Sequence, residues 1–82
     1  MSKFYVGDLV TGNELADIEY AITTSESVCK VVEMTEDDII YLRHRSDFES
    51  YIMVKLVSTT NLYYISEIGN RYPVKRECFK LA

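Results

Sequence analysis

One histidine, two cysteines, thirteen carboxylates and nine lysines and arginines are the side chains of this 82-residue chain most able to do chemistry. A catalytic site needs a nucleophile or base held by a partner, a metal, or a cradle for phosphate. His44 stands alone between Arg43 and Arg45, with no Gly-x-Ser-x-Gly or comparable nucleophile motif elsewhere in the chain. Neither a Gly-rich nucleotide-binding pattern nor a His/Cys metal set occurs. Cys29 and Cys78 lack metal-ligand or redox spacing. They could bridge in an oxidising compartment, or serve in a cytosolic chain as small buried apolar residues, which is the expectation taken here. The sequence therefore predicts a non-enzyme that needs no cofactor or metal.

Binding remains, and three groups of residues could carry it. Glu36-Asp37-Asp38 lacks the alternating ligands and central glycine of a calcium loop, so it reads as a solvated turn. Together with Glu14, Asp17, Glu19 and Glu26, however, it could present a negative face to a basic groove on a partner. The cations Arg43, Arg45, Arg71, Lys75, Arg76 and Lys80 fall in two segments that a folded chain could bring together. A positive patch beside aromatic rings holds phosphates and stacked bases, while ordinary surface charge is the plainer reading. The seven tyrosines, at 5, 20, 41, 51, 63, 64 and 72, exceed what a small core accommodates, and tyrosine is enriched at binding surfaces. If Tyr63 and Tyr64 are adjacent on a strand, they point to opposite faces and at least one leaves the core. The candidate partner surface is thus Asp17, Glu19, Glu36, Asp37, Asp38, Tyr63 and Tyr64. The alternative is a nucleic-acid or nucleotide site at Arg43, His44, Arg45, Arg71 and Arg76.

The elements that must position these groups are short. Eighty-two residues allow one domain, and a hydrophobic fraction of 48% suffices for a modest core. Phe4 to Gly12 reads as a strand entered through a Gly7-Asp8 turn, and Asn13 to Glu19 as a loop in which Glu14 to Asp17 can hold one helical turn. Val28 to Met34 is rich in β-branched residues and is the clearest strand. Thr35 to Asp38 then predicts a polar turn, with Ile39 to Arg45 as the return strand of a hairpin. Ser46 to Ser50 connects to Tyr51–Val57, where Ile52, Val54 and Leu56 share one face at period two. Asn61 to Ile65 is a further candidate strand, Ile68 to Arg71 a turn, and Tyr72-Pro73-Val74 a short extended run. Pro73 cannot donate to a ladder and so belongs at an edge. Phe79-Lys80-Leu81 closes the chain. The expected fold is mainly β, a small barrel or strongly curled antiparallel sheet of five to six short strands.

The order Phe4-x-Val6-Gly7-Asp8-x-Val10, Tyr20-x-Ile22-Thr23, Lys30-Val31-Val32-Glu33 and Gly69-x-x-Tyr72-x-Val74 with Phe79 resembles small SH3-like barrel proteins of bacteriophages and prophages, and more distantly the KOW-type barrels. The resemblance implies that Val6-Gly7-Asp8-x-Val10 forms the first turn and strand, and that Tyr72-x-Val74 and Phe79 form the closing strands. The run from Ile39 to Phe48 is longer than in that pattern. Net charge of -4 makes general coating of DNA or RNA unfavourable. No apolar run approaches a membrane span, and the Met-Ser-Lys-Phe-Tyr start lacks a signal-peptide core. The expectation is a cytoplasmic, phage-encoded module that inhibits or redirects a bacterial host protein, with anti-defence action as one role. No membrane contact is expected, nucleic acid is the weaker alternative, and an exposed sheet edge offers a route to a homodimer.

Overall fold

The computed structural model describes residues 3–45 and 47–82, so Met1-Ser2 and the Ser46 position of the predicted connection lie outside it. Five strands form one antiparallel sheet: β1 Leu9–Gly12, β2 Ser27–Val32, β3 Tyr51–Thr59, β4 Arg71–Lys75 and β5 Phe79–Leu81. Their order is β4-β3-β2-β1-β5, a meander whose last strand returns beside the first. The sheet curls into a half-barrel, consistent with the small SH3-like architecture that the sequence predicts.

The curl follows from what each strand buries. Val10, Cys29, Val31, Ile52, Val54, Leu56, Val74 and Phe79 occupy alternate positions and meet on the inner face, joined by Ala16 and Cys78. Phe4, Tyr20, Ile22 and Tyr72 close over this cluster from the rim. A register shift at Val28/Cys29 marks a bulge in the β2–β3 ladder, and bulges increase local twist. Gly7, with φ of +99°, makes the entry turn possible, and Asp8 accepts from the Tyr5 N–H at 2.9 Å to hold it.

Pro73 sits in β4, an edge strand, as its missing donor demands. The Lys75 N–H of that strand donates to the Tyr20 hydroxyl at 2.9 Å. With one donor absent and another occupied, β4 is poorly suited to accept a further strand.

Two segments read as strands are helical. Ile39 to Arg45 does not pair with β2 as a hairpin; Glu36–Leu42 is a helix, α2, and Arg43 and His44 lie in the turn after it. Thr35 and Asp38 form a capping box: the Thr35 hydroxyl accepts from the Asp38 N–H at 3.2 Å, and the Asp38 carboxylate from the Thr35 N–H at 2.8 Å. Three acidic residues in the first turn complement the helix dipole. Leu62–Glu67 is a 3-10 helix, begun by the Asn61 side chain accepting from the Tyr63 N–H and followed by Gly69 at φ of +98°. The helical turn expected near Glu14 is a helix, α1, over Glu14–Glu19, capped by Asn13. Two further 3-10 turns, Phe48–Ser50 and Arg76–Cys78, lead into β3 and β5.

Candidate binding surface

Nearly all of the candidate carboxylates lie on the two α-helices, and several are engaged within the fold. Asp17 of α1 accepts from both the N–H and hydroxyl of Ser25, at 2.7 and 2.8 Å. The Ser25 backbone bond, reinforced by its hydroxyl, holds the Asp17 carboxyl below its ordinary value. Glu19 ends α1 beside Tyr20, within 4.0 Å of the Cys78 thiol. Glu36 and Asp37 are exposed on the first turn of α2. Asp38 is drawn inward twice, by the capping box and by an ion pair with Arg71. The Thr35 N–H, helped by Arg71, lowers its pKa against the opposing effect of burial.

That ion pair joins one member of the acidic set to one member of the basic set. Arg71 also donates to the Glu33 carbonyl at 3.0 Å, and so ties the start of β4 to the chain leaving β2. Arg45 instead pairs with Asp47 at 3.4 Å and lies over the Tyr51 ring, 4.9 Å from its centre. Tyr51 is the cross-strand neighbour of Lys75, which precedes the half-buried Arg76. The fold therefore brings Arg45 towards the Lys75–Arg76 end of β4. Arg71 occupies the other end, roughly 13 Å away along an extended strand. Arg43 and His44 are exposed in the turn after α2, immediately before Arg45.

Tyr63 and Tyr64 separate as expected, although a 3-10 helix rather than a strand parts them: Tyr63 is 89% exposed and Tyr64 half-buried. Around Tyr63 in sequence, Leu62 is 80% exposed, and Ile65 and Ile68 are also open to solvent. A second apolar surface lies on α2. Four consecutive apolar residues, Ile39 to Leu42, step around a helix by about 100° each and cannot all face inward. Only Leu42 is buried; Ile39, Ile40 and Tyr41 are exposed, Tyr41 at 73%. These α2 residues were absent from the sequence-based partner surface. Their signal was Thr35-x-x-Asp38 ahead of an apolar run, which specifies a helix start.

Both cysteines are free and buried, and burial pushes their thiols upward from the ordinary value, most directly through lost solvation. They act as apolar filling. An open groove of about 390 Å³ lies between the N-terminal segment and the β2 and β3 ends, lined by Phe4, Val6, Val32, Met34, Tyr51 and Met53 among others. Among the described residues, no three of His, Cys, Asp and Glu gather as a metal site, and no helix is long and apolar enough to cross a membrane.

No protein-family model matches the chain, and neither a curated protein nor a solved structure does.

Proposed function

We propose that the chain is a non-catalytic protein-binding module whose contact surface is built from the two helical insertions, α2 and the Leu62–Glu67 3-10 helix. The observation that carries this reading is the placement of large apolar side chains where the core makes no use of them. Ile40, Tyr41, Leu62 and Tyr63 are all more than half exposed, whereas the central cluster is completed by the strands, Ala16 and Cys78. Exposed aromatic and aliphatic side chains grouped on short rigid elements supply the anchors from which interfaces draw most of their energy. The acidic first turn of α2 adds charges able to pair with basic side chains at that edge of the partner. The resemblance to phage barrels adds the setting: a bacterial host protein that is inhibited or redirected, including one of a defence system.

Site-specific photocrosslinking provides the test. A benzophenone amino acid at position 63 or 41, in host-cell extract, is expected to yield one predominant protein adduct. The same group at exposed Glu14 on α1 should not yield it. Equal labelling from all three positions would remove the reading. The nucleotide alternative draws support from Arg45 over Tyr51, but Arg71 stands at the opposite end of β4 from that pair.

A further inference from the structure

The charges of this protein are sorted by element. All thirteen carboxylates lie in turns, helices and connections, and the five strands contain no Asp or Glu. The strands carry Lys30, Lys55, Arg71, Lys75 and Lys80 instead. In a chain of net charge -4, the charged residues of the strands are thus all cationic.

Register sharpens this into a row. Lys30 of β2 is directly opposite Lys55 of β3, and Lys55 is directly opposite Arg71 of β4. Opposed residues of antiparallel strands project to the same face, with neighbouring strands about 4.8 Å apart, so three cations span about 10 Å. All three are exposed. Like charges placed opposite one another destabilise a sheet, and any neutral polar residue would avoid that penalty. Among the described residues, Lys30 and Lys55 have no carboxylate within salt-bridge distance. Arg71 has Asp38, but its contacts with Asp38 and Glu33 both use Nη2, leaving other donors of the guanidinium fork.

We infer that this row is a docking surface for an extended acidic segment of a partner protein, laid across the strands over Lys30, Lys55 and Arg71. Charge complementarity selects the occupant. In an extended peptide, carboxylates at alternate positions stand about 6.6 Å apart, a repeat that flexible lysine stems spaced by one strand can follow. Two or three such carboxylates match the whole length of the row. A nucleic acid strand continues past it, where the net charge of -4 opposes it. The Arg71 end adjoins α2 through Asp38, so a protein partner can cover the row and the exposed α2 side chains together.

This inference rests on the reading of the chain as a protein-binding module, and its test uses a separate readout. A Glu-Ser-Glu-Ser-Glu peptide, its Gln-Ser-Gln-Ser-Gln counterpart and a short oligothymidylate are titrated into isotope-labelled protein at low salt, with backbone amide shifts observed. The acidic peptide is expected to move the amides around Lys30, Lys55 and Arg71, and the Gln peptide is not. Combined Lys30→Glu and Lys55→Glu substitution should weaken the peptide at least tenfold, about 1.4 kcal/mol. Combined Lys30→Gln and Lys55→Gln substitution should weaken it as well, and serves if the Glu variant misfolds. Shifts that ignore the row, equal response to the Gln peptide, or tighter binding of the oligonucleotide would each overturn the inference. Retained crosslinking at position 63 alongside any of these would refute the row alone.

Discussion

Asp38 shows how far one side chain can serve at once as a cap and a cross-link. It closes the capping box with Thr35 and pairs with Arg71, so the start of α2 is fastened to the first residue of edge strand β4. Both contacts require the ionised carboxylate, and its pKa is depressed in the folded chain. The unfolded chain therefore binds the proton more readily, and the stabilisation is complete above the ordinary Asp value near pH 3.9. It is lost as pH falls through the lower, folded value. Amide shifts of Glu36 to Leu42 are expected to lose helical character in that acid range, and the Asp38→Asn variant should lack this titration. A wild-type helix unchanged down to the acid unfolding of the sheet would contradict the assignment. Thr35→Ala removes the hydroxyl half of the box and should cost about 1 kcal/mol of helix stability. The Thr-x-x-Asp spacing was visible in the sequence, but Glu36-Asp37-Asp38 reads equally as a solvated turn. The capping box and the Arg71 contact, 33 residues away, distinguish its third member from the other two.

Among elements, those governed by a two-residue period were readable in advance. Ile52, Val54 and Leu56 alternate along β3 and all face the core, and Pro73 marked its strand as an edge. The misread elements are those where an apolar run is too short for its period to be decisive: Ile39 to Leu42 fits a buried strand or a helix equally well, and so does Leu62 to Ile65. At each, a side-chain cap on the preceding residue, Thr35 or Asn61, set the local backbone. Gly12 was equally silent in the sequence. It ends β1 where α1 crosses, and an added Cβ would come within 2.6 Å of the Thr24 carbonyl carbon and 2.7 Å of the Ala16 Cβ. The first neighbour is backbone and the second belongs to a fully buried residue, so neither yields cheaply. Gly12→Ala is expected to destabilise the protein by about 1–3 kcal/mol, measured by urea unfolding. An unchanged midpoint would mean that α1 is not packed against β1 as described.

For the molecule as a whole, composition gave the broad class and concealed the arrangement. A net charge of -4 described an acidic protein, yet the strands carry only cations among their charged residues, and the carboxylates lie on the helices and connections. Average hydrophobicity likewise concealed that much apolar surface lies outside the core. The main cluster is an inward face completed by residues from all five strands, with Met53 and Leu42 buried outside it, and it leaves Ile40, Tyr41 and Tyr63 on the exterior. The account holds that these side chains exist for a partner and contribute little to folding. Thermal unfolding of a variant combining Ile40→Ser, Tyr41→Ser and Tyr63→Ser measures that directly. The predicted midpoint lies within about 3 °C of the parent, as for substitutions at exposed positions; a fall of about 10 °C or more would show that the three belong to the fold and contradict the account.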